Sequence, residues 1–201
     1  MSNLLQQLND DLAATVEKAR RSLVEIHNGR GGAGAGVVVR ADGLIVTNAH
    51  VIGRRHLQVT LPDKRQLPAQ LVAFDRDHDL ALLRVEQDGL TPIELGDSKQ
   101  IKAGEWALAI GHPWGVNGAA TGGIVIGGGA EFPEMRGSGR EWIAASLHMR
   151  PGHSGGALVD SQTRLVGINT MINGPDVGVA VPVDVVKEFL ARKDLTGLRD
   201  L

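Results

Sequence analysis

A serine set among glycines, Pro151-Gly152-His153-Ser154-Gly155-Gly156, is the sharpest chemical signal in this 201-residue chain. Glycine on both sides lets a tight turn expose the hydroxyl. It also lets successive backbone N–H groups converge on one point, as stabilising a developing oxyanion requires. A serine is a weak nucleophile without a base, so a histidine is needed. The seven histidines are His27, His50, His56, His78, His112, His148 and His153, and none follows Ser154. The Gly-x-Ser-x-Gly elbow of α/β-hydrolases has its histidine after the serine. Chain order therefore removes that reading and leaves an arrangement in which the histidine comes first.

His50 is the candidate base, because it closes the apolar run Leu44-Ile-Val-Thr-Asn-Ala-His50, which reads as a strand ending in a turn. A rigid element would hold its imidazole. His27, His56 and His112 lack such a run and read as surface residues, while His148 and His153 stand too near Ser154 in sequence to reach its Oγ. The base needs an orienting carboxylate, and Asp75-Arg-Asp77-His-Asp79-Leu-Ala-Leu-Leu offers three. Asp79 is favoured because it precedes the apolar strand directly, where a partly desolvated carboxylate could accept the imidazole N–H. Asp75 and Asp77 read as solvated turn residues. A calcium loop is excluded because Leu80 stands where glycine is needed. His78 has no partner ligands at zinc spacing, so no metal is expected. Together, His50 would take the Ser154 proton and Asp79 would fix the tautomer. Backbone N–H groups of the Gly152-His153-Ser154 segment would hold the oxyanion.

The elements that must position these groups are legible from periodicity. Leu4, Leu8, Leu12 and Val16 fall four apart and predict an amphipathic helix of about five turns. Short valine, leucine and isoleucine runs follow at 22–27, 36–40, 43–47, 56–61, 67–74 and 80–86. A second set stands at 105–110, 121–126, 141–147, 156–160, 164–170 and 177–181. Six and six short strands point to two barrels or sandwiches of similar size. Val183 to Lys193 reads as a closing helix. The expected division is residues 1–21 as an N-terminal helix, 22–98 as a first barrel and 99–201 as a second barrel with the C-terminal helix. Glycine-rich stretches at 29–36, 111–123 and 127–140 read as loops.

Composition narrows the function classes. The chain has 27 glycines, about twice the usual share of ~7%, and 42% hydrophobic residues, which fits a turn-rich protein with a packed core. With 21 basic and 23 acidic residues interspersed, it offers no basic face for nucleic acid. Without cysteine there is no disulfide framework, thiol catalysis or thiolate zinc site. No apolar run reaches the ~20 residues of a membrane helix. Met1-Ser2-Asn3 does not begin a secretory signal. The expected location is cytoplasmic for an intact chain, and cell envelope or periplasm if a signal has been removed.

At these motifs the chain resembles the trypsin-like serine proteases, specifically the bacterial HtrA (Deg) branch, over about residues 22–192. The resemblance rests on Gly34-Ala-Gly-Val-Val-Val, Leu44-Ile-Val-Thr-Asn-Ala-His50-Val, Asp79-Leu-Ala-Leu-Leu, Ala109-Ile-Gly-His-Pro-Trp-Gly, Gly152-His-Ser-Gly-Gly-Ala-Leu-Val and Gly167-Ile-Asn-Thr. It implies an all-β fold of two six-stranded antiparallel barrels. It also implies hydrolysis of peptide bonds in unfolded or damaged proteins through an acyl-enzyme, with no cofactor. Ile168, Asn169 and Thr170 would edge the substrate cleft, and Met149 and Arg150 would line the P1 pocket. Small or medium aliphatic P1 residues would be preferred. Homotrimers through the N-terminal segment are also implied, the competing reading being that this helix packs on its own barrel. Three features depart from the family: His153 stands where asparagine is usual, Met149-Arg150 replaces Ile-Asn, and the chain stops at Leu201 where a PDZ domain usually follows. The first two keep a second function open, a peptide-binding or chaperone module with a resting-inactive oxyanion loop.

Overall fold

The computed structural model describes residues 3–29, 33–53, 57–129 and 140–192. Helix α1 (Leu4–Arg20) leads into β1 (Leu23–His27), β2 (Ala33–Arg40), β3 (Leu44–Thr47), β4 (Gln58–Thr60), β5 (Gln66–Asp75) and β6 (Leu80–Val85). The second set is β7 (Trp106–Gly111), β8 (Ala119–Gly129), β9 (Trp142–Ser146), β10 (Ala157–Val159), β11 (Leu165–Ile172) and β12 (Val177–Pro182), followed by helix α2 (Val183–Leu190). Each set closes into an antiparallel barrel, β1-β2-β3-β6-β5-β4 and β7-β8-β9-β12-β11-β10, so both follow the same strand order. Among the described residues no helix is long and apolar enough to cross a membrane.

Alternation along the strands separates two kinds of core. Val24, Ile26, Ile45 and Leu83 fill the first barrel, and Ala109, Val125, Ile143 and Leu158 fill the second. Their neighbours Leu23, Val46, Leu80 and Leu82 point the other way and meet Leu108, Ile110, Val159, Ile168 and Phe189 in a shared cluster. Successive residues of a strand face opposite sides, so strands buried on both faces read as unbroken apolar runs such as Leu80-Ala-Leu-Leu. The barrels are thereby locked together across a dry face, with α2 closing it through Val183, Val186 and Phe189.

The glycine-rich stretches depart from expectation. The segment 29–36 was expected to be a loop, yet β2 starts at Ala33 and pairs with His27. Likewise 111–123 is not loop throughout, because β8 begins at Ala119. Its glycines permit close strand approach: a Cβ on Gly123 would collide with the Ser146 carbonyl on β9. Residues 130–139 of the third expected loop, and His56, lie outside the described residues.

Asp75 is also not the solvated turn residue expected. It is buried, and its carboxylate accepts the His78 N–H (3.0 Å), the His78 Nδ1 (3.0 Å) and the guanidinium of Arg192 just beyond α2. Burial pushes its carboxyl up, but these bonds outweigh burial and bring it down to about 2. A carboxylate whose folded value lies below its unfolded value of ~3.9 contributes stability that is complete above that value. The contribution is lost as pH falls toward about 2. Asp75→Asn should therefore lower the urea midpoint at pH 7 and flatten its decline between about pH 4 and 2. Parallel declines in the two proteins would show that Asp75 is not held down in this way.

Candidate active site

The strand before His50 ends at Thr47, and one short 3-10 turn (Ala49–Val51) carries the histidine, whose side chain is half exposed. Asp79 follows the β5–β6 turn with φ at +53°, directly before buried Leu80. Its carboxylate reaches back across that turn: Oδ1 accepts the His50 main-chain N–H (3.0 Å) and Oδ2 accepts the His50 Nδ1–H (2.8 Å). An ionised carboxylate only accepts, so this bond puts the ring proton on Nδ1 and leaves the Nε2 lone pair free. From the second barrel, the Thr170 hydroxyl donates to the same Oδ2 at 2.5 Å. Burial pushes the Asp79 carboxyl up, but the His50 and Thr170 bonds together hold it below the usual carboxylate range.

Ser154 sits in a turn stitched to both barrels. Its carbonyl accepts the Ala35 N–H of β2 (2.8 Å), and the Gly155 N–H is shared between the Asn169 carbonyl (2.8 Å) and Asn48 Oδ1 (2.7 Å). Gly155 has φ at +79°, and a Cβ there would collide with the Ala35 carbonyl and Thr47 Oγ1. Only glycine fits a left-handed residue pressed that closely on a neighbouring strand. The Ser154 hydroxyl donates to the Thr170 carbonyl (3.2 Å). One threonine therefore touches both the serine hydroxyl and the aspartate carboxylate.

Of the three residues expected around an oxyanion, the structure separates one from the others. The His153 N–H donates to the Arg150 carbonyl at 3.0 Å. The N–H groups of Gly152 and Ser154 have no bonding partner among the described residues. Beside them lies a cavity of about 190 Å³ lined by Met149, Arg150, Pro151, His153, Ser154, Thr170, Met171 and Ile172. Met149 and Arg150 are thus among the residues that line this cavity. Ile168 and Asn169 are not at the cleft edge, being fully buried. Asn169 Nδ2 bonds the carbonyls of Ala157 (2.9 Å) and Ile110 (3.3 Å) beneath the serine turn, and Met171 and Ile172 stand at the rim in their stead.

The other histidines lie apart. His112, expected on the surface, is buried at 6% exposure, and its main-chain N–H holds the Gly152 carbonyl at 2.8 Å. His27 pairs with Thr60 and His148 with Asp176. No group of three or more His, Asp or Glu among the described residues is placed to hold a metal.

Sequence reasoning missed Asn48. It is fully buried, and its Nδ2 donates to the Asp79 carbonyl (3.0 Å) while its Oδ1 accepts from Gly155. It thus joins the aspartate turn to the serine turn. The available signal was the polar pair Thr47-Asn48 inside an apolar run. If Thr170 helps to depress Asp79, Thr170→Val should raise the Asp79 carboxyl toward its ordinary value in a carbon-13 NMR titration. An unshifted titration would assign the depression to His50 alone.

Residues 34–168 match the family described as the trypsin-like peptidase domain. Over 82% of its length the chain is 39% identical to a probable periplasmic serine endoprotease, DegP-like, of Hahella chejuensis, covering 36% of that protein. It is 35% identical to the mitochondrial serine protease HTRA2 of Drosophila pseudoobscura pseudoobscura, over 79% of this chain and 38% of that one. The chain thus spans about a third of the length of these curated relatives. Among solved structures it is similar to the HtrA-type protease AlgW with tripeptide, with a TM-score of 0.80 and 34% identity over 88% of this chain and 61% of that one. With two like-ordered barrels and family motifs in sequence order, the chain belongs to the trypsin-like serine peptidases, in their HtrA branch.

Proposed function

We propose that this chain is a serine endopeptidase domain that cleaves unfolded polypeptides through an acyl-enzyme, with Ser154 as nucleophile, His50 as general base and Asp79 as its orienting partner. The observation that carries this reading is a link through one threonine. The His50–Asp79 pair comes from the first barrel, Ser154 from the second, and Thr170 contacts both Asp79 and Ser154. Rotating the Ser154 hydroxyl off the Thr170 carbonyl would let it donate to the free Nε2 of His50. The resulting imidazolium would be stabilised by a carboxylate that its surroundings keep ionised. The unpaired N–H groups of Gly152 and Ser154 would then receive the oxyanion, and protonation of the leaving amine by His50 would release the first product.

The mostly apolar walls of the cavity beside Ser154, with no acidic side chain among them, support a small or medium aliphatic P1 residue. A fluorophosphonate probe should label the wild-type chain near neutral pH and leave Ser154→Ala unlabelled. A peptide-library profile of the active protein should be dominated by valine, alanine, isoleucine or leucine at P1. Casein retained without fragments, together with no labelling from pH 6 to 9, would favour the binding-module reading instead.

Helix α1 supports a proposal about assembly. Its C-terminal half packs Leu12, Val16 and Ala19 against the barrels, whereas Leu4 and Leu5 are more than two-thirds exposed. The second half thus packs on its own barrel, and the first half offers an apolar face for homotrimer formation. Sedimentation velocity should give a trimer for the full chain and a smaller species for Leu4→Glu/Leu5→Glu. An unchanged species would remove the helix from the assembly.

A further inference from the structure

The imidazole of His153 does chemical work that a small core side chain would not. It is 3% exposed, and its Nδ1 accepts the Arg150 main-chain N–H at 3.0 Å. The His153 main-chain N–H returns a bond to the Arg150 carbonyl at 3.0 Å, and that carbonyl also lies 3.1 Å from Nδ1. Arg150 is therefore held at both its N–H and its C=O by one residue. An Nδ1 that accepts must carry a lone pair, so the ring is neutral with its proton on Nε2. That Nε2 is buried without a hydrogen-bond partner.

Between the two bonded residues lies only Pro151-Gly152. The proline ring restricts φ at 151. On the far side, the Gly152 carbonyl is held by the His112 N–H at 2.8 Å, and a Cβ on Gly152 would sit 2.6 Å from the His112 carbonyl. The Pro151–Gly152 peptide, which carries the Gly152 N–H, is thus flanked by a peptide held by His112 on one side and by Arg150, held by His153, on the other. That peptide is suspended between the two anchors, so a shift of either one re-aims its N–H.

From this geometry we infer that His153 is a positioning residue for the oxyanion site: its neutral imidazole, acting as acceptor for Arg150, fixes the direction of the Gly152 N–H. The inference rests on the protease reading above for its catalytic consequence, but not for its structural one. Protonation at Nδ1 would remove the acceptor, leaving the ring able only to donate to the Arg150 carbonyl. Burial disfavours the charged ring, opposed by the Arg150 carbonyl, and holds its titration below the usual histidine value. Two titratable residues bond the same turn: Arg150, whose guanidinium lies over the Trp114 ring at 5.9 Å, and His112 after β7. Neither side chain contributes to that shift.

The test compares the wild-type chain with His153→Asn, whose side-chain oxygen can stand where Nδ1 does, and with His153→Leu, which has no acceptor. Two readings are taken: the Gly152 amide signal in nitrogen-15 NMR, and kcat and KM on a peptide substrate. His153→Leu should move the Gly152 signal and lower kcat about 10- to 100-fold, less than the roughly 100- to 1,000-fold loss seen when an oxyanion donor is removed outright, with KM within about twofold. His153→Asn should restore both. In the wild type the Gly152 signal should also shift as pH falls below the usual histidine range, and in His153→Asn that shift should vanish. If His153→Leu does not fold, this pH comparison alone decides, and identical Gly152 curves would overturn the inference. So would a Gly152 signal and kcat unmoved in folded His153→Leu, or His153→Asn as impaired as His153→Leu. A Gly152 signal that responds as expected in a chain that no fluorophosphonate labels would leave the positioning role standing and contradict the protease reading instead.

Discussion

The constraint on which the site depends is the passage of the serine turn between two closed barrels. A closed barrel has no free edge strand, so groups from different barrels can meet only at strand ends and along the seam where the barrels touch. The turn from Gly152 to Gly156 occupies that seam. It is bonded to the first barrel through Ala35 and Asn48 and to the second through Asn169. These contacts run largely through main-chain atoms at very short range, which is why Gly155 tolerates no Cβ. The shared apolar cluster around Leu82, Ile110 and Ile168 holds the barrels at the distance these bonds require. The proposed catalytic geometry thus follows from how the barrels dock, with few bonds among the candidate groups themselves.

Polar atoms buried along the seam are shared between neighbours. Asp79 uses both oxygens on His50 and one of them again on Thr170, while its main-chain carbonyl accepts from Ala49 and Asn48. Asn48 uses one end on each turn. A buried polar group that loses its partner costs roughly 1–3 kcal/mol, so a shift of one barrel against the other would break several such bonds together. That coupling keeps His50, Asp79 and Ser154 in register although 104 residues of chain separate the first from the last.

Much of the fold was legible because its strands are short, β-branched and regularly spaced. Both six-strand sets and both helices lie close to where periodicity put them. The glycine-rich segments at 33–35, 119–120 and 127–129 were misread as loop alone, since a run of glycine signals turns equally well as strands that must approach closely; the Cβ collisions that decide the matter belong to tertiary structure. At the site, the residue types and chain order were enough to single out His50, Asp79 and Ser154 as candidates; His50 bonds Asp79, and Thr170 touches both Asp79 and Ser154. The roles of Asn48 and of the Thr170 hydroxyl were missed: a polar residue inside an apolar run signals a buried hydrogen bond without naming its partner. Asp75 and His112 were misjudged for the same reason, as their partners Arg192 and Gly152 are distant in sequence.

The central claim is that Ser154 Oγ, His50 Nε2 and the N–H groups of Gly152 and Ser154 can engage one substrate carbonyl together. A crystal structure of the chain treated with an aliphatic peptidyl chloromethyl ketone tests this most directly, because that reagent bonds to a nucleophilic oxygen through its carbonyl carbon and to a nearby imidazole through its methylene. The account predicts a single adduct bonded to both Ser154 Oγ and His50 Nε2, with the former ketone oxygen within hydrogen-bond distance of both N–H groups. An adduct on His50 alone with that oxygen facing solvent, or a chain left unmodified, would contradict it.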